Sequence, residues 1–356
     1  MKAFYTIPQQ KLMVRPWDFL KGISSKEADE TRIREFIPQK QLYWTSSARN
    51  ALYVLLDSLQ NTAGKKLSVA IPAFTCHVVQ DAAQRTKSKI LYYDSGITTN
   101  LKDIKKVLTK KPDILLLCYN FGYLPKDLQE IAELCKKHNV ILIEDCAQAL
   151  GATQKGKLAG SFGDYAIYSF GISKNIGFDG GLIATNESLQ LKKQEPISVS
   201  EMIRTTIKSI IGPLALRKGI FPLTQHFMKQ GLEQRKHYPP KEYQLSNFSK
   251  RVVCSLAKRY KKVLKTRQEN YSLLTGKSTT DACLYFPITN KTKEIKEKAA
   301  RKSIELEDMK SFAFLPEESQ MKQFPNAAAI AKNHLTFALL RSKKEIRKIR
   351  EVLELR

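Results

Sequence analysis

Short apolar runs alternate with amphipathic stretches between residues 41 and 185, and this alternation restricts the possible folds more than any other feature of the sequence. The apolar runs have the length of strands and are Leu67–Ile71, Ser88–Tyr93, Ile114–Cys118, Val140–Ile143, Asp164–Phe170 and Gly181–Thr185. The stretches with one apolar face are predicted helices, and they are Arg49–Gln60, Leu101–Lys110 and Pro125–His138, the last with proline in its first turn. Strands alternating with helices of this length predict an α/β fold, with a mostly parallel sheet covered by helices on both faces.

The alternation stops after residue 186. The stretch Glu201–Gln234 is basic and rich in apolar residues, is broken by Gly212-Pro213, and has no clear strand pattern. A Pro239-Pro240 pair marks a boundary, after which the predicted elements are a long helix at Asn247–Leu274, a strand near Cys283–Ile288 and helices near Thr292–Ser303 and Lys343–Leu353. We therefore expect a large domain over residues 1–245, with a basic insert at about 195–240, and a small C-terminal α/β domain over residues 246–356.

Several classes of protein are excluded by composition. Hydrophobic residues at 42% and charged residues at 26% are typical of globular proteins rather than of disordered or fibrous ones. The longest run without a charged residue, Leu67–Gln80, is shorter than the ~18 apolar residues of a membrane-spanning helix. The first residues lack the apolar core of a secretory signal, and the six cysteines form no Cys-x-x-Cys pair. We therefore expect reduced thiols, no metal site and a cytoplasmic location.

The positive charge of the chain is unusually large. Sixty basic and thirty-four acidic residues give a net charge of +26, and Glu201–Arg267 alone carries a net +13. A basic chain attracts polyanions such as nucleic acid, anionic lipid or phosphorylated substrates. A solvated basic surface is the simpler interpretation and the one we favour. Within the insert, helical spacing of Ile203, Ile207, Ile210 and Ile211 predicts either a lid or dimer arm, which is the favoured interpretation, or a peripheral contact with an anionic membrane.

Polar residues follow several of the predicted strands, where ligands gather in open α/β sheets. Asp145 and Gln148 follow Val140–Ile143, and Lys174 follows the strand that ends near Ser169. A carboxylate at that edge can hold a cationic ring nitrogen, and a desolvated lysine can act as a nucleophile. The alternatives without a functional role are that Asp145 caps a helix and that Lys174 is exposed to solvent.

Two further segments could contribute to a site. The small polar residues Thr45–Ser47 open a predicted helix whose first N–H groups can bind an anion, although such residues are mostly simple caps. The segment Gly177–Gly181 fits neither glycine-rich phosphate-binding pattern and is predicted to be a turn of a β-hairpin.

Four motifs in this order resemble those of the DegT/DnrJ/EryC1/StrS family of pyridoxal-phosphate-dependent sugar aminotransferases. They are Ile143-Glu144-Asp145-Cys146-Ala147-Gln148-Ala149, Gly160-Ser161-x-Gly163-Asp164, Ser169-Phe170-x-x-x-Lys174-Asn175 and Gly180-Gly181. The resemblance implies the fold type I transferase architecture, with a seven-stranded, mostly parallel sheet. It also implies a homodimer that binds a nucleotide-sugar and an amino-acid donor, usually glutamate, and no specific nucleic acid.

The resemblance assigns a role to each matching residue. Lys174 would carry pyridoxal 5′-phosphate covalently and move the proton during the reaction. Asp145 would pair with the pyridine nitrogen, and Gln148 would lie on the phenolic-oxygen side of the ring. The phosphate would be held by Ser169 and by the backbone N–H groups of Ala48 and Arg49.

The sequence departs from the family pattern in three places. The phosphate cup, often Ser-Gly-Thr in the family, reads Ser47-Ala48-Arg49, which loses a hydroxyl and gains a guanidinium. Cys76 stands where many members place an aromatic residue against the cofactor, so that stacking either falls to the neighbours His77 or Phe74 or is missing. The partner-derived Asn-Tyr-Arg segment reads Glu242-Tyr243-Gln244, and the residues expected to contact substrate are Tyr119, Tyr243 and Gln244.

Three functions follow from this resemblance and from the charge. The favoured one is a sugar aminotransferase that supplies polysaccharide or glycan precursors. The second is a keto-sugar dehydratase with the same cofactor, although the family subset that removes a hydroxyl carries histidine where this chain has Lys174. The third is a polyanion-binding protein on a degenerate aminotransferase scaffold, motivated by the +26 charge.

Overall fold

A seven-stranded sheet forms the centre of the protein in the computed structural model, which describes residues 5–8, 13–15, 18, 20, 27–217, 219–225, 242–309 and 311–354. Numbered along the chain, the strands are β1 (Gln41–Thr45), β2 (Ser68–Pro72), β3 (Phe74–Cys76), β4 (Lys89–Tyr93), β5 (Ile114–Cys118), β6 (Ile141–Asp145), β7 (Thr153–Gln154), β8 (Lys157–Leu158), β9 (Tyr165–Ser169), β10 (Gly181–Thr185), β11 (Tyr285–Ile288), β12 (Phe312–Phe314) and β13 (Leu335–Ala338). The order in the main sheet is β1-β10-β9-β6-β5-β2-β4. Strands β9, β6, β5, β2 and β4 run parallel to one another, and edge strand β1 runs in the same direction. Only β10, between β1 and β9, is antiparallel to both neighbours, so the predicted mostly parallel sheet is confirmed.

The helices are α1 (Thr31–Arg34), α2 (Ala48–Ala63), α3 (His77–Arg85), α4 (Leu101–Leu108), α5 (Leu128–Lys137), α6 (Val199–Ala215), α7 (Asn247–Thr275), α8 (Thr292–Arg301), α9 (Pro325–Lys332) and α10 (Lys343–Leu353). Helices α1, α4, α5 and α7 pack on one face of this sheet and α2 and α3 on the other, whereas α8, α9 and α10 belong to a separate apolar cluster. Strand β5 shows why both faces must be covered, because every one of its side chains is buried. Leu115 and Leu117 belong to one apolar cluster, and Ile114 and Leu116 belong to the cluster on the opposite face. A continuous apolar strand is typical of a parallel sheet buried on both sides.

Helix α7 connects two apolar clusters. Its first half, including Val252 and Tyr260, packs in the cluster on the main sheet, whereas Leu274 near its end packs with β11, β13 and α10. Phe74 and Phe121 from the first part of the chain also belong to this second cluster. The division of the chain at residues 245 and 246 stays a prediction.

Some predicted boundaries are wrong. Helix α5 begins at Leu128, so Pro125 lies before the helix rather than in its first turn, and Asp127 is the residue that precedes it. Cys283 has a positive φ of 47° and lies outside β11. Helix α8 ends at Arg301 rather than Ser303.

The predicted break at Gly212-Pro213 is also wrong, because α6 continues to Ala215. Proline lacks the N–H that would bond to the carbonyl four residues earlier, so Pro213 removes one hydrogen bond from the last turn of α6 without ending the helix. The Pro239-Pro240 boundary lies outside the described residues. Among the described helices, none has the length and apolar character required to cross a bilayer.

Candidate active site

Three neighbouring parallel strands bring predicted site residues to one edge of the sheet. Cys118 ends β5, Asp145 ends β6 and Ser169 ends β9, and Cys118 lies opposite Asp145 in the register of the first two strands. Lys174 follows β9 in a turn, where its backbone N–H donates a 2.8 Å hydrogen bond to the carbonyl oxygen of Gly171. This edge is where a parallel sheet presents ligand-binding residues.

The charges of Asp145 and Lys174 act on each other. Burial raises the pKa of the Asp145 carboxyl group, while a 3.0 Å hydrogen bond from the Ala147 N–H and the positive charge of Lys174 oppose that rise. Burial also raises the pKa of the Cys76 thiol, and the charges of Lys174, Asp145 and Arg49 all act on it. Since Coulomb interactions weaken with distance, these side chains share one small region. The structure therefore brings together Lys174, Asp145, Cys76 and Arg49.

The β9–β10 hairpin closely approaches the start of α2. Ser47 caps the helix by accepting a 3.1 Å hydrogen bond from the Asn50 N–H. A Cβ atom at Gly181 would overlap the backbone of Ser47 and Ala48, so only glycine allows this contact. The Gly180-Gly181 motif thus places the first N–H groups of α2 beside the turn that carries Lys174.

Ser169 lies close to the same turn. A Cβ atom added to Gly171 would be 3.7 Å from Ser169 Oγ and 3.9 Å from Lys174 Cγ, so both side chains flank this glycine. A hydroxyl and helix N–H groups on either side of a lysine can hold an anionic group next to it.

Arg49 and His77 form a second feature of the site. Arg49 Nη2 lies 3.3 Å from His77 Nε2, and His77 Nδ1 lies 3.1 Å from the carbonyl oxygen of Ser311. A guanidinium can only donate, so Nε2 is the acceptor and Nδ1 carries the proton that Ser311 receives. This arrangement fixes the direction of the Arg49 guanidinium.

Gln148 is buried and its carbonyl oxygen is already used. Its Oε1 accepts a 2.6 Å hydrogen bond from the Phe121 N–H, and its Nε2 lies 3.7 Å from Met309 Sδ. The side chain therefore fixes the loop after β5, and its Nε2 can still donate a hydrogen bond to a ligand. Its predicted contact with a cofactor oxygen stays a prediction.

Tyr119 does not fit the predicted substrate role. Its side chain is 1% exposed in the apolar core, and its hydroxyl donates a 2.5 Å hydrogen bond to Glu144 Oε2. A bound substrate could not reach it without opening the core. We therefore correct this assignment, and Tyr119 is a core residue that satisfies a buried carboxylate.

Glu144 has a structural role that was not predicted from the sequence. Its carboxylate is fully buried and accepts hydrogen bonds of 2.6–2.7 Å from the N–H groups of Gly160, Phe162 and Gly163. Successive side chains of a strand point to opposite faces of the sheet. Glu144 and Asp145 therefore cannot both face the site, and this alternation was the signal in the sequence that could have separated their roles. The Gly160–Asp164 motif thus binds the Glu144 carboxylate through its backbone N–H groups and thereby holds the end of β6, where Asp145 lies.

Tyr243 and Gln244 are connected with the insert. The Tyr243 hydroxyl lies 3.3 Å from Glu201 Oε1, and the Gln244 N–H donates a 2.8 Å hydrogen bond to the carbonyl oxygen of Glu195. Their expected contact with substrate stays a prediction.

Comparisons with known proteins agree with this arrangement. The model of the DegT/DnrJ/EryC1/StrS aminotransferase family matches residues 19–277. GDP-perosamine synthase of Vibrio cholerae is 30% identical over 46% of this chain and 45% of its own length. A UDP-N-acetyl-3-dehydro-alpha-D-glucosamine 3-aminotransferase of Acidithiobacillus ferrooxidans is 32% identical over 40% of this chain and 39% of its own length. These alignments span less than half of either relative.

The fold comparison extends over nearly the whole chain. The GDP-4-keto-6-deoxy-D-mannose-3-dehydratase of E. coli, solved with bound hydrated PLP, has a TM-score of 0.71 and 17% identity, and the match covers 98% of this chain and 100% of the dehydratase. At this identity the likeness establishes the fold, and it confirms the transferase architecture predicted from the sequence.

Proposed function

We propose that this chain, which belongs to the DegT/DnrJ/EryC1/StrS aminotransferase family, transfers an amino group from an amino acid to a nucleotide-linked keto-sugar with the aid of pyridoxal 5′-phosphate. The observation that carries the proposal is the placement of Asp145 at the end of β6 and of Lys174 in the turn after β9, where the charge of Lys174 acts to lower the pKa of Asp145. The donor would be glutamate, and the product a precursor of polysaccharide or glycan. The enzyme would act as a cytoplasmic homodimer.

The residues at this edge suit the chemical groups of the cofactor. Asp145 offers a half-buried carboxylate to a protonated ring nitrogen, and burial strengthens that pairing. The N–H groups of Ala48 and Arg49, together with Ser169 and the Arg49 guanidinium, suit a phosphate. The charges of both Asp145 and Arg49 act on Cys76, and His77 contacts Arg49. We therefore propose that Cys76 and His77 border the cofactor ring.

The residues of this chain would divide the work of the reaction. When bound, the cofactor supplies a ring that withdraws electrons from a carbon losing a proton. Lys174 would take that proton as a base and return it as an acid, a role for which its amine must be uncharged part of the time. Asp145 would keep the ring nitrogen protonated, and Glu144 would hold the strand end that orients Asp145.

A keto-sugar dehydratase remains the second candidate, since the fold neighbour from E. coli is named as one. The products differ in mass, because transfer adds nitrogen to the sugar whereas dehydration removes a hydroxyl. A polyanion-binding protein without cofactor is the third candidate, and it predicts nucleic-acid affinity that falls steeply with salt.

The decisive experiment combines absorption and product analysis. Purified protein should absorb visible light, and Lys174→Ala should lose that absorption while remaining folded by circular dichroism. Keto-sugar nucleotides incubated with glutamate should gain an amino group in the mass spectrum. Colourless wild-type protein that binds no pyridoxal phosphate would contradict the proposal, and a dehydrated product would favour the second candidate.

We further propose that the insert makes a peripheral contact with an anionic membrane. Val199, Ile203, Ile207 and Ile211 recur every fourth residue of α6 and are 50–68% exposed, which disagrees with a lid packed on the rest of the chain. Such an apolar face on a chain of net charge +26 suits an anionic lipid surface.

Vesicle co-sedimentation tests this contact. Phosphatidylserine-containing vesicles should retain wild-type protein and release the variant Ile203→Asp/Ile207→Asp. Leu20→Asp is the matched control, because Leu20 is 65% exposed and lies outside the insert. Equal sedimentation of all three proteins would contradict membrane contact. A change in the oligomeric state of the double variant alone would also contradict it and would favour a dimer arm.

A further inference from the structure

Arg267, on helix α7, is a buried cation without a carboxylate partner among the described residues. Its side chain is 2% exposed, and burial lowers the pKa of its guanidinium. Its Nε has no hydrogen-bond partner in the described part of the chain. Burying a charge without a counter-ion is costly, so the contacts that Arg267 does make need an explanation.

Those contacts converge on the residue that follows Lys174. Arg267 Nη1 donates a 2.8 Å hydrogen bond to Asn175 Oδ1, and Nη2 lies 3.3 Å from the Asn175 carbonyl oxygen. One guanidinium therefore fixes both the side chain and the backbone of Asn175, which is itself fully buried. The two-pronged geometry is specific to arginine, since lysine offers a single point charge.

Tyr260 supports this contact from the same helix. Its hydroxyl lies 3.0 Å from Asn175 Oδ1 and 2.6 Å from the Leu150 carbonyl oxygen. The Arg267 guanidinium carbon lies 5.9 Å from the centre of the Tyr260 ring, within the range of a cation–π contact. Tyr260 thus offsets part of the cost of the buried charge.

Tyr285 holds the residue on the other side of Lys174. From β11, its hydroxyl donates a 3.1 Å hydrogen bond to the Ser173 carbonyl oxygen, and its side chain is 2% exposed. Both chain neighbours of Lys174 are therefore fixed by residues that follow position 246 in the sequence. Lys174 itself is only half-buried, so the backbone is held while the amine faces the site.

We infer that Arg267 and Tyr285 are positioning residues for Lys174, an inference that rests on the proposed function. By fixing Asn175 and Ser173, they set the direction in which the lysine side chain leaves the backbone toward Asp145. An error of about 1 Å in such a group can cost about 100-fold in rate, so a distant contact of this kind affects the reaction strongly. Neither residue needs to touch substrate or cofactor.

Tyr285→Phe is the cleanest test, because it removes one hydroxyl and keeps the ring. Tyr271→Phe is the matched control, since Tyr271 packs beside Tyr123 and Phe286 in the same cluster and has no hydrogen bond to the lysine turn. We expect Tyr285→Phe to lower kcat about 10-fold with KM within about 2-fold, as expected when a group is misplaced without loss of binding. The midpoint of the pH titration of the visible absorption should shift by about 0.5 unit or more.

Arg267 gives an independent series. Arg267→Lys keeps the charge, whereas Arg267→Met keeps an unbranched apolar stem without charge. Both should shift the absorption titration in the direction seen with Tyr285→Phe, Met more than Lys. Melting temperatures measured without cofactor separate this effect from general destabilisation. If an Arg267 variant does not fold, Tyr285→Phe and its control decide the question alone.

The outcomes separate this inference from the proposed function. Wild-type protein that lacks visible absorption contradicts the proposed function and the inference with it. Wild-type protein with normal absorption and a Tyr285→Phe variant that matches it in titration, kcat and KM overturns only the positioning role. A shift of the same size in Tyr271→Phe also overturns it, because the effect would then belong to the cluster as a whole.

Discussion

The hydroxyl of Tyr119 lies 2.5 Å from Oε2 of Glu144, beneath the strand end that presents Asp145. The contact joins the residue after β5 to β6 inside the core, and three backbone N–H groups also donate hydrogen bonds to the carboxylate. The residue next to the proposed cofactor partner is thereby fixed before any ligand binds.

Tyr119→Phe should weaken the fold rather than substrate binding. Removing one donor from a buried carboxylate costs about 1–3 kcal/mol. We expect the free energy of unfolding in urea to fall by that amount, while KM for the sugar nucleotide stays within experimental error. A large rise in KM with unchanged stability would restore the substrate role that we have withdrawn.

Arg49→Gln should weaken the binding of phosphate specifically. Hydrogen bonds to charged groups contribute about 1.5–3 kcal/mol, which corresponds to a rise of about 10- to 100-fold in the Kd of pyridoxal phosphate. Pyridoxal, which has no phosphate, serves as the control ligand, and its Kd should not change. Equal losses for both ligands would mean that Arg49 acts on the shape of the site and not on the phosphate.

Gly181→Ala should disturb the start of α2. An added Cβ overlaps the backbone of Ser47 and Ala48, so the hairpin and the helix must move apart. We expect lower stability and weaker cofactor binding in equilibrium titrations. Gly219→Ala is the matched control, because a Cβ there meets no atom of the described residues within 4 Å, and it should behave like wild type.

Asp113 gives a prediction for the effect of pH on stability. Burial favours a higher pKa, but hydrogen bonds from Lys65 and Ser68 outweigh it and lower the pKa of Asp113 to about 2. A carboxyl group with a depressed pKa stabilises the fold above its unfolded pKa of about 3.9, and this contribution is lost as the pH falls toward 2.

Asp113→Asn should therefore be less stable than wild type at pH 7. The difference should be no more than about 1 kcal/mol, because solvent screens this partly exposed group. The gap in urea midpoints should close as the pH is lowered from 5 toward about 2, where the aspartate loses its charge. A gap that stays constant over this range would show that the ionised carboxylate contributes nothing.

The parts of the fold that sequence predicted best are those with strong local patterns. The bounds of β5 and β10 agree with prediction to the residue, because both are short, apolar and buried throughout. Helix α10 was also predicted to the residue, and Ser342 with Glu345 forms the capping box that begins it. Pro125 misled the prediction of α5, since proline before a helix and proline in its first turn look alike in sequence.

What sequence could not predict depends on contacts between distant segments. Strand β3 pairs with β12, more than 200 residues later, and neither is long enough to form a recognisable pattern alone. Tyr119 was expected to contact substrate, and only the packing of the core shows that its hydroxyl is used by Glu144. The contact of Arg267 with Asn175 spans 92 residues and has no local signal at all.

The pairing of β3 with β12 has a consequence for how the protein matures. His77 begins α3 directly after β3, and its N–H donates a 3.0 Å hydrogen bond to the Ser311 carbonyl oxygen just before β12. One side of the proposed site is therefore assembled from a segment that leaves the ribosome long after the lysine turn. The proposed cofactor site can reach its final form only once synthesis has passed this late segment, so a nascent chain that already contains Lys174 still lacks part of it.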